Sequence, residues 1–142
     1  MAQASPVGIG ITYPVAFADV SKTQLLELAQ GNDVIHQSIY TILSTSIGER
    51  YNNPRFGSNL YSLVFEPNTN LLKDLLYFYT VEALAKWEPR ISVNQVGFVL
   101  LQDDDHFIGI NINYTIRSTN TAGNYVFPFV RGGESMASLL SK

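Results

Sequence analysis

The sequence predicts an α+β domain in which two principal helices pack on a small three-stranded antiparallel sheet, with an extended arm at the N-terminus. Two stretches before residue 90 repeat apolar residues at helical spacing. Beyond residue 90, apolar and polar residues alternate, as they do in a sheet with one buried and one exposed face. A chain of 142 residues, of which 46% are hydrophobic, is long enough for one domain with a sizeable core.

The composition excludes several classes of protein. The net charge is −3 and the nine basic residues are scattered, so there is no basic patch of the kind that binds nucleic acid. The absence of cysteine excludes disulfides, thiolate nucleophiles and cysteine metal sites. No run reaches the roughly 20 apolar residues that span a bilayer, and the first residues lack the basic start of a signal peptide. We therefore expect a protein that is made in the cytoplasm, binds no nucleic acid and does not insert into a membrane.

Three segments are predicted: an arm at residues 1–30, a folded domain at residues 31–130 and a tail at residues 131–142. The arm mixes glycine with β-branched residues and is interrupted by Pro14, so it is either a mobile terminus or an extended segment that docks on a neighbour. The first helix is predicted to use Asn32 or Asp33 as its N-cap and to stop before Gly48. Its apolar stripe consists of Ile35, Ile39, Ile42 and Leu43.

The second helix is predicted to follow a turn at residues 67–70. It should end near Glu88, because a residue that precedes a proline is disfavoured in the helical region. Tyr77 and Phe78 extend its apolar surface beyond one face, so either the helix is buried on two sides or part of its surface waits for a partner. The predicted apolar face consists of Leu72, Leu75, Leu76, Tyr79, Ala83 and Trp87.

Three strands are predicted to complete the domain. Residues 91–102 are strand-like, and residues 96–101 are apolar on both faces apart from Gly97, which predicts a strand in the middle of the sheet or covered on both faces. A turn at residues 103–105 leads into residues 108–117, where isoleucine and tyrosine alternate with polar residues and glycine. The third strand is predicted at residues 125–130, and Pro128 places it at an edge because proline cannot donate a ladder hydrogen bond.

Residues suited to catalysis or metal binding are few. His36 lies in the first predicted helix and His106 beside an acidic turn, with no second histidine at ligand spacing. The aspartates at residues 103–105 are adjacent and cannot wrap a cation as a calcium-binding loop does, so a solvated turn is expected. There is also no phosphate-binding glycine loop before a helix. We therefore expect no catalytic residues, no cofactor and no metal site.

One enzymatic alternative uses two of three glutamates. Glycoside hydrolysis needs a carboxylic acid with a raised pKa and a second carboxylate across a sugar cleft, and Glu49, Glu66 and Glu88 are the candidates. Glu49 adjoins Arg50 and Glu88 is two residues from Arg90. Neighbouring cations lower the pKa of a carboxyl group, which disfavours the role of general acid.

Two separated segments carry a more specific signal. The first runs from Gly48-Glu49-Arg50 through Pro54 and Phe56-Gly57 to Phe65-Glu66-Pro67, and the second is Trp87-Glu88-Pro89-Arg90-Ile91. Their order and spacing resemble the sheath-initiator family of contractile tails and injection machines. That family includes the small baseplate-wedge protein of contractile phages and its counterparts in type VI secretion and in extracellular injection particles. The resemblance covers residues 34–129, and some members of the family carry a lysozyme label.

The resemblance implies a non-enzymatic, structural subunit of a baseplate of sixfold type. In such a subunit the corner at Glu88, Pro89 and Arg90 meets the large wedge subunits around a central hub or tube. The β part is similar to the sheath protein and is expected to accept a sheath strand, so that it templates sheath polymerisation. An internal salt bridge that pins helix to strand is a second role for the corner, and the two roles are compatible. The expected partner-binding residues are Glu49, Arg50, Glu66, Trp87, Glu88, Pro89 and Arg90.

Overall fold

The computed structural model describes residues 9–11, 28–100 and 107–131 of the chain. The predicted turn at residues 103–105, His106, most of the arm and nearly all of the tail lie outside the described residues. The described parts of the arm, β1 (Ile9–Ile11) and β2 (Leu28–Gln30), pair with each other antiparallel. The domain that follows contains α1 (Asn32–Ser44), a 3-10 helix (Leu60–Leu63), α2 (Asn70–Trp87), β3 (Ile91–Leu100), β4 (Phe107–Ile116) and β5 (Thr121–Val130).

Helix α1 packs the predicted apolar stripe into the core. Ile35, Ile39, Ile42 and Leu43 are all buried, which confirms the periodicity. The predicted N-cap was wrong, because the cap residue is Gly31 at φ 64°, and Asn32 and Asp33 already lie inside the helix. This φ is in a region that glycine enters without steric cost, so the backbone turns into the helix one residue earlier than the side-chain pattern indicated. The helix ends at Ser44, before Gly48, as predicted.

Helix α2 begins and ends where the sequence indicated. The hydroxyl of Thr69 accepts a hydrogen bond from the amide of Leu72 at 3.3 Å and caps the helix, and Trp87 is its last residue before the Glu88-Pro89 step. Tyr77 and Phe78 are exposed, so of the two alternatives only one side of the helix is buried within this chain. The buried side is rotated slightly from the predicted face and consists of Leu72, Leu76, Thr80, Ala83 and Leu84.

The sheet is antiparallel, with strand order β3-β4-β5. The alternation predicted for the second strand is confirmed, because its inward side chains all lie in the core: Ile108, Ile110, Ile112, Tyr114 and Ile116. The edge position predicted from Pro128 is confirmed for β5. The prediction that the first strand lies in the middle of the sheet or is covered on both faces was wrong. β3 is an edge strand, and its Val99 side chain is exposed.

A β-bulge interrupts β3 near its start. The register shifts between Val93 and Gln95, so that Asn94 has no partner residue on β4. A bulge adds one residue to the strand and reverses the parity of the side chains beyond it. Val93 and Val96, which have opposite parity in the sequence, therefore both face the helices. The apolar run at residues 96–101 begins after the bulge, and Val99 on its other face is exposed rather than covered.

A glycine on β5 makes room for the largest side chain in the core. The Tyr114 ring lies over Gly123, where a Cβ atom would come within 2.5 Å of the ring. Tyr114 is fully buried and its ring meets that of His36 edge-on, with ring centroids 6.2 Å apart. Gly123 and Tyr114 are partners in the β4–β5 register, so the position demands glycine for space rather than for backbone freedom.

Candidate functional site: the corner after the second helix

The corner forms where α2 ends and β3 begins. Glu88 closes the helix with its amide bonded to the carbonyl of Leu84 at 2.9 Å, and Pro89 prevents another helical turn. The carbonyl of Arg90 then accepts a hydrogen bond from the amide of Arg117 at 2.9 Å. Two residues after Glu88 has closed the helix, the chain is thus tied to the sheet, which makes the corner rigid.

The Glu88 carboxylate and the Arg90 guanidinium form a two-point ion pair within this corner. Arg90 Nε donates to Glu88 Oε1 at 2.6 Å and Arg90 Nη2 donates to Glu88 Oε2 at 2.8 Å. Glu88 is only 1% exposed, whereas the Arg90 side chain is 37% exposed. The planar fork of arginine matches a carboxylate in this geometry, so each charge fixes the orientation of the other.

Ser38 on α1 completes the cluster. Its hydroxyl donates a hydrogen bond to Glu88 Oε2. The Glu88 carboxylate therefore joins the first helix, the end of the second helix and the start of β3. One buried side chain thus holds α1 against the junction of α2 and β3, which lies 50 residues farther along the sequence.

The hydrogen bonds decide the charge state of Glu88. Burial by itself raises the pKa of a carboxyl group, but the hydrogen bonds from Arg90 and Ser38 and the positive charge of Arg90 together outweigh it and hold the pKa of Glu88 below its ordinary value of 4.5. The bond to Glu88 correspondingly raises the pKa of Arg90 against the opposing effect of burial. Both groups are charged at neutral pH, and Glu88 is an ionised hydrogen-bond acceptor rather than a general acid.

The loop at residues 45–59 closes back on the end of α1. Gly57 has φ 120°, and a Cβ atom there would lie 2.3 Å from the carbonyl oxygen of Thr45. The next residue, Ser58, bonds through its amide to the carbonyl of Thr45 at 2.9 Å and through its hydroxyl to the carbonyl of Leu43 at 3.0 Å. This closure sets the position of the loop residues that reach the corner.

Those loop residues build a stack of rings and cations beside Trp87. The Arg50 guanidinium lies 4.0 Å from the centre of the Phe56 ring, and the Phe56 and Trp87 ring centres are 5.1 Å apart. Lys86, the residue before Trp87, places its Nζ 5.1 Å from the Trp87 ring centre. A cation over an aromatic face is attracted by the ring quadrupole. The stack places two positive charges around one partly exposed tryptophan.

The predicted site residues fall into three groups. Arg50 and Trp87 meet through Phe56, and the buried Glu88 and the partly exposed Arg90 form the two-point ion pair next to them. Glu49 is exposed and accepts a hydrogen bond from the amide of Ser46 at 2.9 Å, within its own loop. The two residues not yet placed are also exposed: Pro89 forms the turn itself, and Glu66 lies away from the stack, with its backbone carbonyl accepting from Arg131 Nε at 3.2 Å.

Sequence reasoning missed Ser38 and Lys86 as members of the corner. Ser38 lies 50 residues before Glu88, and nothing in the local sequence indicates their contact. Lys86 is adjacent to Trp87, and adjacency alone does not indicate that its ammonium lies near the ring. Phe56 belongs to the first motif, and its ring connects that motif to Trp87 of the second.

Within the described residues, no cluster of three histidine, cysteine, aspartate or glutamate side chains could hold a metal ion. No helix in the described part of the chain is long and apolar enough to cross a membrane.

Comparisons with known proteins give a family. Residues 29–121 match the family described as baseplate wedge protein gp25. Baseplate protein W of Escherichia phage P2 is 37% identical over 62 residues, which are 44% of this chain and 54% of that protein. The matched segment thus spans about half the length of this curated relative.

Similar structures extend the likeness to nearly the whole chain. A crystal structure from Geobacter sulfurreducens, of a protein provisionally named a tail lysozyme, is 34% identical, with a TM-score of 0.69 over 77% of this chain and 98% of that one. A chain of the anti-feeding prophage baseplate is 16% identical, with a TM-score of 0.61 over 95% and 94% of the two chains. A chain of the postcontracted pyocin R2 baseplate is 23% identical, with a TM-score of 0.50 over 83% and 99%. The last two share the fold.

Proposed function

The chain belongs to the family of baseplate wedge protein gp25, and on this premise we propose that it is a structural, non-enzymatic subunit of a contractile-tail baseplate. It is made in the cytoplasm and enters the baseplate by docking on wedge subunits through its corner. The observation that carries this proposal is the two-point pair of Glu88 and Arg90, fixed by Ser38 and bordered by the ring stack of Arg50, Phe56 and Trp87.

Preorganisation is what suits this corner to docking. A long arginine side chain normally loses conformational freedom when a partner binds it. Here the pair with Glu88 already orders Arg90, while more than a third of its side chain stays exposed. Trp87 is held between Phe56 and Lys86 and is half-buried, so it too is ordered before binding. Arginine and tryptophan are the residue types that most often dominate binding energy at interfaces.

An exchange that keeps the charge tests the docking role. Arg90→Lys retains a cation near Glu88 but loses the planar fork, so we expect the domain to fold and baseplate assembly to drop. Arg117→Lys makes the same exchange at a neighbouring arginine with a single backbone acceptor, the carbonyl of Ile91 at 3.3 Å, and serves as the control. The readout is the number of baseplates in cells that carry each variant in place of the native gene. Normal numbers with folded Arg90→Lys would refute docking through the corner.

We further propose that β5 accepts a strand from the first ring of sheath subunits. Its ladder with β4 runs over ten residues without a register shift, from Phe107↔Val130 to Ile116↔Thr121. The other edge, β3, is interrupted by the bulge at Asn94. A strand that is added to an open edge gains main-chain hydrogen bonds with that edge. An edge strand without a bulge offers a longer uninterrupted row of such bonds. Pro128 removes one donor near the end of β5 and leaves residues 121–127 with theirs.

Hydrogen exchange with and without sheath protein tests the strand addition. We expect amides of β5 to become protected when sheath subunits are added, while α2 changes little. Protection confined to β3 would assign the opposite edge, and protection confined to the helices would exclude templating by strand addition.

A lysozyme activity has a specific obstacle in this chain. Glu88 cannot serve as the general acid, because its hydrogen bonds lower its pKa and occupy both carboxylate oxygens. Glu49 and Glu66 lie on exposed surface, and the Glu49 carboxylate accepts a hydrogen bond from the amide of Ser46 within its own loop. Zymography of the purified protein on peptidoglycan should show no clearing. Clearing that Glu49→Gln, Glu66→Gln or Glu88→Gln abolishes would overturn the non-enzymatic assignment.

A further inference from the structure

Phe107 is buried although it lies on the face of the sheet that points away from the helices. Successive side chains of a strand point to opposite faces, and its neighbour Ile108 points into the core. The core cluster of the described residues includes Ile108 but not Phe107. Phe107 is nevertheless only 2% exposed. Some part of the chain therefore covers this outer face of the sheet at Phe107.

The described residues do not supply that cover. On the outer face the cross-strand partner of Phe107 is Val130, and the next pair is Gly109 with Pro128. These residues lie beside the ring within the same sheet and cannot enclose it. The helices bury their apolar side chains in the core cluster on the opposite face. The cover is therefore formed by a segment outside the described ranges: residues 1–8, 12–27, 101–106 or 132–142.

The cover lies over the end of β5 and not over β3. Pro128 and Val130, on the outer face of β5, are half-buried. Val99, on the same face of β3, is 43% exposed, and Val126, farther back along β5, is 41% exposed. The buried part of the outer face thus consists of Phe107, Pro128 and Val130, which we call the outer patch.

The arm is attached at the opposite end of β5. Its second strand, β2, directly precedes α1. Near the start of α1 the His36 ring contacts Tyr125, with ring centres 5.1 Å apart. One turn later the Tyr40 ring meets that of Phe127 at 6.0 Å. The first helix therefore runs along β5 toward Val130, and β2 lies beyond its start, on the order of 17 Å, or five strand residues, from Val130.

The tail continues directly from the outer patch. Soon after Val130 it contains Gly132-Gly133, a dipeptide typical of turns. The apolar residues of the tail follow this turn signal: Met136, Leu139 and Leu140. The other segment next to Phe107, residues 101–106, contains three consecutive aspartates and a single aliphatic residue, Leu101. The tail thus combines a starting point at the patch with apolar side chains that suit a buried ring.

We propose that residues 132–142 fold back over the outer patch and bury Phe107 beneath Met136, Leu139 and Leu140. Such contacts remove apolar surface from water on both sides. The tail then acts as a strap across one face of the sheet and stays off the edge of β5, which remains open for an added strand. The inference concerns the chain by itself, so it does not depend on the proposed function.

Nuclear Overhauser effects in the full-length protein identify what covers Phe107. The sample carries labelled methyl groups on methionine, leucine, isoleucine and valine, and labelled phenylalanine rings. We expect contacts between the Phe107 ring and methyl groups of the tail. Phe129 is the control, since it is 4% exposed on the inner face and should contact core methyl groups only. Contacts of the Phe107 ring with residues 1–27 or 101–106 in place of the tail, or with another copy in a mixed sample, would overturn the inference.

Thiol labelling measures the cover independently. The chain has no cysteine, so a single introduced thiol reacts alone. Val130→Cys lies in the outer patch, and Val126→Cys is the matched control on the same strand and face. Each is made in the native chain and in a full-length chain that also carries Met136→Ser, Leu139→Ser and Leu140→Ser. We expect these tail replacements to speed the labelling of Val130→Cys at least about tenfold and that of Val126→Cys less than about twofold. Equal rates at Val130→Cys in the two chains would show that the tail is not the cover.

Discussion

Trp87 and Glu88 are consecutive residues whose side chains have opposite surroundings. Glu88 is buried, and its charge is satisfied within the chain by Arg90 and Ser38. Trp87 is half-buried in a surface stack with Phe56 and Lys86, where its neighbouring cations face solvent. We call the cluster of Glu88, Arg90 and Ser38 the clamp, and the surface stack of Trp87, Phe56 and Lys86 the platform. The two are adjacent in the chain, but the clamp is internal and the platform lies on the surface. Loss of the clamp should cost stability, and loss of the platform should cost mainly binding.

The largest expected effect comes from opening the clamp. Arg90→Ala leaves the Glu88 carboxylate buried without its cation, and removal of one partner of a buried pair costs about 3 to 5 kcal/mol of unfolding free energy. We expect a loss of about 3 kcal/mol, at the lower end of this range, since the Arg90 side chain is partly exposed. Glu88→Gln combined with Arg90→Ala removes both charges and should recover part of the loss. Urea unfolding measures both, and equal losses for the single and double variants would contradict a charge-based clamp.

Truncation of the platform should cost less. Trp87→Ala removes the ring contacts to Phe56 and Lys86 and should cost about 2 kcal/mol, below the range for a fully buried tryptophan. Trp87→Phe retains a ring against Phe56 and should cost under about 1 kcal/mol. A loss for Trp87→Ala that exceeds the loss for Arg90→Ala, in the same urea series, would reverse the assignment of clamp and platform.

Lowering the pH tests the contribution of the Glu88 charge to stability without a mutation. The pKa of Glu88 is lower in the folded chain than its ordinary 4.5, so its contribution to stability is present above that value and is lost as pH falls through the folded pKa. The loss should be smaller than that of Arg90→Ala, because a protonated carboxyl keeps some of its hydrogen bonds. Thermal unfolding between about pH 6 and about pH 3 measures it. The Glu88→Gln variant should show a shallower dependence on pH in this range, and an unchanged dependence would contradict the lowered pKa.

The smallest expected loss of stability comes from Arg50, whose guanidinium lies over the Phe56 ring at the edge of the platform. Arg50→Ala removes an exposed cation from the Phe56 ring, a contact worth about 0.5 to 1 kcal/mol at such sites. Its unfolding midpoint should stay close to the parent's, while assembly into baseplates falls. Arg50→Lys keeps a cation over the ring and is the control. A stability loss as large as that of Trp87→Ala would show that Arg50 belongs to the fold rather than to the surface.

The predictable parts of the fold are those with a local cause. Pro89 ends α2, Pro128 marks an edge strand, and the alternation in β4 follows from the two-residue period of a strand. The position of β3 was mispredicted, because Val99 puts an apolar side chain on the outer face of this edge strand, where it is exposed although the sequence pattern is that of a covered strand. The candidate site divides in the same way. The Glu88–Arg90 pair is local and could be anticipated, whereas the contact from Ser38 depends on how α1 packs.

The bulge at Asn94 also gives β3 a tolerance to deletion that β4 lacks. If one residue is lost between Ser92 and Gln95, the strand can close the bulge, and Ile91 and Val96 keep facing the helices. In β4, whose ladder with β5 has no shift, the loss of one residue reverses every inward side chain beyond it. Aligned relatives should therefore differ in length at this point of β3 and keep a constant length through β4.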